Sequence, residues 1–194
     1  MAKKGFLLVL MQPPPALEEE FNDWYDTEHI PERQAVPGFE TALRFVCLDG
    51  HPRYLAMYDL TSLDVLDSEA YRAVSGDNFS PWTKRVTSRV RIYRSLGVQV
   101  YPGTFTTRRA ARVRLLRFSD LSQDAEAQVI AGMQANFEGR PAVEQVRVLA
   151  YRRGDATDFI GFVELAKPVE QELDLSAFGA AGNALDMVNT YAPY

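Results

Sequence analysis

The sequence predicts an α+β chain in which one order of elements, βαββαβ, is written twice. Three observations carry this. Short β-like apolar runs and helical stretches follow each other in the same order in both halves. Segments of the two halves match: Gly38-Phe39-Glu40-Thr41-Ala42-Leu43-Arg44-Phe45 stands opposite Ala142-Val143-Glu144-Gln145-Val146-Arg147-Val148-Leu149, and Tyr54 to Leu60 stands opposite Phe159 to Leu165. Between the halves lies Tyr101-Pro102-Gly103-Thr104, where proline and glycine punctuate the end of a long strand. The predicted units are residues 1–101 and 105–194.

In the first unit a strand from Phe6 to Gln12 ends at Pro13-Pro14-Pro15, a run that can continue neither a sheet nor the interior of a helix. A helix over about Leu17 to Ile30 then starts with proline in its first turn and Glu18, Glu19 and Glu20 at the positive end of its dipole. Leu17, Phe21 and Trp24 recur at helical spacing and form the buried stripe, and Pro31 is expected to stop the helix. Strands from Thr41 to Leu48 and Arg53 to Leu60 flank Asp49-Gly50-His51-Pro52, which reads as a hairpin loop. A helix from Val65 to Val74 and a strand from Val90 to Val100 complete the unit. The second unit runs through a strand (Ala111 to Phe118), a helix (Asp124 to Phe137), two strands (Val143 to Tyr151, Phe159 to Ala166), a stretch rich in Glu, Leu and Ala, and a last strand (Leu185 to Tyr191).

A four-stranded antiparallel sheet with helices on one face needs a cover for the other. Strands such as Phe6 to Met11 and Tyr54 to Tyr58 are apolar or aromatic at both parities, so the two sheets are expected to face one another within the chain. A homodimer stays open as an alternative way to cover them. A pocket would lie between a sheet and its helices, or between the sheets.

Composition narrows the function. Among 194 residues, 21 Lys and Arg against 26 Asp and Glu give a net charge of -5, which disfavours a phosphate backbone as partner. Two basic stretches, Lys84, Arg85, Arg89, Arg91 and Arg94, then Arg108, Arg109, Arg112, Arg114 and Arg117, read as solvated strand faces. One cysteine, Cys47, excludes an intrachain disulfide and a thiolate metal cluster, and its apolar surroundings favour a small buried residue over a nucleophile. Two histidines make a structural zinc site improbable. The longest apolar run, Phe6 to Met11, is too short to span a membrane, and no cleavage site of the secretory kind follows Lys3-Lys4, so a cytoplasmic protein is expected. With no Gly-rich phosphate cradle, no cofactor and no metal are expected.

The stretch Phe21-Asn22-Asp23-Trp24-Tyr25-Asp26-Thr27-Glu28-His29-Ile30-Pro31-Glu32-Arg33 concentrates aromatic, acidic and imidazole groups. At spacings of four and three, Tyr25 and Asp26 share a helix face with His29 and can orient its ring. A carboxylate neighbour and the negative end of the helix dipole both predict a raised pKa for His29. Such a histidine is a competent general acid or base, and a helix cap is the alternative use. The second unit places Met133 opposite His29 and Ile130 opposite Asp26, so the polar set is not a requirement of the fold.

Trp24-Tyr25-Asp26-Thr27-Glu28-His29-Ile30-Pro31, followed by Val36-Pro37-Gly38-Phe39 and Arg44-Phe45, resembles the EthD-like branch of the dimeric α/β-barrel superfamily. The resemblance covers roughly the first hundred residues and implies two tandem ferredoxin-like repeats packed as an α/β barrel. It also implies His29 as the acid/base with Tyr25 and Asp26 beside it, and Arg44 as a binder of a carbonyl or carboxylate oxygen. Tyr54 and Tyr58, on one strand parity, and Trp82, with Phe79 and Pro81 in a lid or pocket wall, complete the expected substrate-binding set. His51 is expected to be exposed and structural. The superfamily hosts several chemistries, so three readings stand. The first is proton transfer on a hydrophobic or aromatic carbonyl compound, as in an isomerase, cyclase or lyase. The second is oxygenation, cofactor-free or with haem. The third is a non-catalytic ligand-binding or assembly module.

Overall fold

The computed structural model describes residues 3–170 and 172–194. Among these, eight strands close into one antiparallel barrel: β1 (Gly5–Gln12), β2 (Leu43–Cys47), β3 (Tyr54–Leu60), β4 (Arg91–Tyr101), β5 (Arg112–Leu121), β6 (Val143–Arg153), β7 (Ala156–Leu165) and β8 (Leu185–Pro193). The order around the barrel is β1-β3-β2-β8-β5-β7-β6-β4. Each half thus contributes four strands in the same relative order, and the halves pair at two seams, β2 with β8 and β4 with β6. The predicted α+β fold is present, with the two sheets facing each other across the barrel and joined at their edges. Gly97 permits the second seam to close, since a Cβ there would lie 2.0 Å from the Ala150 carbonyl oxygen.

Strand alternation sorts the apolar residues into three cores. Phe6, Leu8, Leu10, Leu55, Met57, Leu115, Leu149, Ile160 and Phe162 point into the barrel. Leu7, Val9, Met11, Ala56, Tyr58 and Leu60 point to the helices of the first half, and Leu116, Phe118, Phe159, Val163 and Leu165 to those of the second. The strands are apolar at both parities because each of them separates two cores.

The barrel interior also holds an ion network. Arg147, fully buried, donates from Nη1 to Asp59 Oδ1 at 2.7 Å and from Nη2 to Glu164 Oε1 at 3.1 Å. The connection between the halves is tied to the same acids: Thr107 N donates to Asp59 at 2.7 Å and Arg108 N to Glu164 Oε1 at 3.2 Å. Burial raises the Glu164 pKa against the opposing pull of Arg147. Asp59 comes from β3 and the other two from β6 and β7, so the network joins the halves.

The helices depart from expectation in three places. The first continues past Pro31: α1 (Glu18–Trp24) runs through a π-type turn, Tyr25–His29, into α2 (Ile30–Gln34). The proline falls in the first turn after the wide segment, where the hydrogen-bond register changes and a missing N–H costs little. The predicted helix over Val65 to Val74 is only a 3₁₀ segment, Leu63–Asp67, and a single turn, α3 (Glu69–Arg72), separated by Ser68 in extended conformation. Pro81, expected in a lid or wall, instead opens a further helix, α4 (Pro81–Thr87), capped by the Ser80 hydroxyl accepting from Thr83 N. In the second half α5 (Glu126–Phe137) is followed, in the Glu-, Leu- and Ala-rich stretch, by 3₁₀ structure over Leu175–Ala184. Gln171, like Met1 and Ala2, lies outside the described residues. No described helix is long and apolar enough to cross a membrane.

Candidate functional site

The aromatic and acidic motif divides its side chains among four jobs. Trp24 is core: its indole N–H donates to Thr83 Oγ1 at 2.9 Å. Glu28 holds α4 in place, accepting from Ser80 Oγ at 2.6 Å and Thr83 Oγ1 at 2.8 Å. Asp26 pairs with Arg44 and not with His29. Tyr25 and His29 face the sheet together, ring centroids 5.0 Å apart, with Trp24 4.5 Å from the imidazole on another side. The π-type turn explains the separation, because a wider turn brings residues four apart onto one face and swings those three apart away from each other.

This geometry overturns the expected raised pKa of His29. The ring sits inside a continuing helix rather than at its C-terminal end, and its carboxylate is engaged elsewhere. Burial, then the positive charges of Arg33, Arg94 and Arg44, hold its pKa well below the ordinary value. His29 is therefore a neutral imidazole at neutral pH, and its Nδ1 is buried with no hydrogen-bond partner among the described residues.

His29 lines a cavity of about 410 Å³ between the first half's sheet and its helices. Leu7, Val9 and Met11 of β1 form the floor, and Trp24, Tyr71, Phe79 and Ile92 the aromatic and aliphatic sides. Tyr25 and Tyr58 meet in it, hydroxyl to hydroxyl at 3.1 Å. Burial pushes the Tyr25 pKa up to about 12 and that of Tyr58 well above its usual value, so both stay protonated. Two hydroxyl groups sharing one hydrogen bond leave one O–H free to donate. At one wall Arg33 donates from Nη2 to the Val74 carbonyl at 2.7 Å and Arg94 from Nη2 to Tyr71 Oη at 2.5 Å.

Of the residues expected at the site, Tyr25, His29 and Tyr58 converge on this cavity, with Phe79 on its wall. The others do not. Arg44 lies on the far side of Tyr25, its guanidinium 4.5 Å from that ring and 4.1 Å from Tyr194, with Nη2 donating to Asn22 Oδ1 at 2.6 Å. It lines a separate cleft of about 190 Å³ with Asp26 and Arg109. Tyr54 donates its hydroxyl hydrogen to Glu18 at 2.6 Å, outside the cavity, because Glu18 and Asn22 of α1 hold that hydroxyl. Trp82 points its indole N–H at Glu20, 3.2 Å away, since its place on α4 faces α1. His51 is exposed, near Gln12 Oε1 at 3.3 Å. Cys47 is half-buried at the end of β2 and burial raises its pKa, which leaves it protonated.

Sequence reasoning misses Arg33 and Arg94. Arg33 lies four residues beyond His29, a spacing that could have found it. Arg94 falls in a basic stretch that reads as a solvated face, yet it shares its strand parity with Leu96, which packs toward the helices. Among the described residues no group of three or more His, Cys, Asp or Glu is placed to hold a metal ion.

No family model and no curated protein matches the sequence. Solved structures do match in fold. An anthrone oxidase-like protein superposes over 100% of this chain and 92% of its own with TM-score 0.71 and 13% identity. A candidate monooxygenase from Lactobacillus acidophilus NCFM covers 99% and 93% with TM-score 0.57 and 11% identity. A haem-binding protein from Thermus thermophilus covers 100% and 92% with TM-score 0.56 and 9% identity. The chain shares the fold of these proteins over nearly all of its length.

Haem in one of these proteins raises the question of whether this chain fits it. A ligating imidazole ordinarily donates its second ring N–H to a carboxylate, carbonyl or water. His29 Nδ1 has no such acceptor among the described residues, and the charges that act on the ring are the positive ones of arginines. The matching space in the second half contains no histidine and is packed with Phe118, Phe137, Phe159 and Phe178. The residues present do not fit haem.

Proposed function

We propose that the chain is a cofactor-independent oxygenase of an aromatic ketone with an acidic C–H bond, of the anthrone type, with His29 as the base. The observation that carries it is a neutral imidazole, Nδ1 unpartnered, beside a protonated tyrosine pair in one apolar cavity. The fold likeness to the anthrone oxidase-like protein supports the same reading. The motif from Trp24 to Pro31, with Pro37-Gly38, supports a place in the EthD-like branch.

The chemistry follows from the groups. His29 takes a proton from the ring methylene of the substrate, and the charge moves onto the ketone oxygen. The free phenol O–H of the Tyr25 and Tyr58 pair donates to that oxygen as it becomes an enolate. The enolate is oxidised by dioxygen: a C–O bond forms at the deprotonated carbon to give a peroxide anion, loss of the carbon's second hydrogen with cleavage of the O–O bond gives a new carbonyl, and the departing oxygen leaves as water on taking back the proton held by His29. Methylene plus O₂ therefore yields C=O plus H₂O, with O₂ as the oxidant.

Oxygen uptake with anthrone, above the spontaneous rate, tests this directly, with the quinone product followed by absorbance. His29→Gln is expected to lower the rate about 10²- to 10⁴-fold while circular dichroism stays unchanged. No uptake by the wild type on any anthrone sinks the oxygenase reading. Deuterium exchange at the methylene without oxygen uptake would return the protein to simple proton transfer, which shares the first step.

A further inference from the structure

We infer that the molecule bound in the His29 cavity carries a carboxylate on its aromatic body, docked against Arg33 with Arg94 beside it. The aromatic body rests on the proposed function; the anion rests on the charges alone.

Three arginines are buried among the described residues: Arg33, Arg44 and Arg147. Arg147 has Asp59 and Glu164, and Arg44 has Asp26. Arg33 has no carboxylate within ion-pair distance among the described residues. It is 2% exposed, one arm is spent on the Val74 carbonyl, and its Nη1 is buried without a partner. Arg33 favours the ionised form of the adjacent Glu32 but makes no ion pair with it among the described residues, and a buried guanidinium without a paired anion is costly, a cost recovered when an anion is brought to it.

The surroundings select the kind of anion. Tyr71 ties the two cations into one wall: the Arg33 guanidinium carbon lies 5.2 Å from its ring centroid, while Arg94 donates to its hydroxyl. The Phe79 ring lies 6.0 Å from the same guanidinium carbon. Aromatic faces beside a planar guanidinium suit a flat molecule ending in a planar anion, and a carboxylate matches the guanidinium fork. Only one buried charge awaits neutralisation, since Arg94 is exposed, so a monoanion is favoured over a phosphate.

Binding, read by tryptophan fluorescence because Trp24 lines the cavity, tests this without turnover. The probes are anthraquinone-2-carboxylate and its neutral carboxamide. The wild type is expected to bind the carboxylate at least about tenfold tighter. Arg33→Met should shrink the preference to under about twofold, Arg33→Lys should recover part of it, and Arg94→Met, at the exposed mouth, should reduce it about threefold if Arg33→Met does not fold. Equal affinities in the wild type, binding of neither probe, or a preference intact in both methionine variants would overturn the inference. A protein that prefers the carboxylate but oxidises no anthrone leaves this inference standing and breaks the oxygenase reading. One that oxidises anthrone without discriminating does the reverse.

Discussion

The two halves of the barrel share an order of strands and differ in what lies between sheet and helices. In the first half that space is a cavity with His29, Tyr25, Tyr58 and Arg33 on its walls. In the second it is solid. Met133, opposite His29 in the repeat, is fully buried against Gly161, where an added Cβ would come within 2.5 Å of its sulfur. Val163 stands opposite Tyr58. The 3₁₀ segment over Leu175–Ala184, in place of α3 and α4, lays Phe178 onto Gly132 so closely that a Cβ there would sit 2.1 Å from the ring. The fold thus closes without a histidine or a tyrosine pair. The first half keeps polar groups in an apolar space, an arrangement that a core avoids.

Opening the closed half puts this contrast under the greatest load. Phe178→Ala is expected to cost about 3–5 kcal/mol in urea unfolding, since its whole ring is buried. A loss below about 1 kcal/mol would mean that the second half is as loosely filled as the first. Arg147→Met tests whether the halves depend on each other: leaving Asp59 and Glu164 without their cation should cost about 3–5 kcal/mol, and unfolding should stay a single transition.

A smaller effect concerns pH. The folded pKa of His29 is depressed, so between that value and the unfolded value of about 6.5 the unfolded chain binds more protons. Stability from burying this ring is therefore full above about pH 6.5 and is lost as pH falls below it, by at most about 1.4 kcal/mol per pH unit. His29→Gln should flatten that part of the profile, measured by thermal melts at several pH values. Met133 has no such group, and no apolar substitution there should change the slope. The mildest change is Phe79→Ala, at a half-buried wall of the open cavity, which should cost under about 1 kcal/mol; a loss near that of Phe178→Ala would show that the wall is structural.

Much of the site is legible in the sequence, and the misreadings share a cause. The spacing of Tyr25 and His29 and the parity of Tyr58 put these three on one cavity, because helix and strand periods decide which residues share a face. Asp26 fails because three-apart neighbours meet only in an α-helical turn, and this turn is π-type. Arg44, Tyr54 and Trp82 fail because Asp26, Glu18 and Glu20 claim their polar atoms. Arg94 is hidden in a run of basic residues that suggests water.

The doubled order of elements, the strands buried on both faces and the concentration of chemistry in one helix can all be read from the chain alone, since each is written in periods of two or about four residues. Folding in three dimensions was needed to pair the sheets into a closed barrel, to bring Arg147 to acids from both halves, and to leave His29 neutral with an unmatched Arg33 nearby. Charge and protonation depend on distances between residues far apart in the chain, and local periodicity holds no record of those distances.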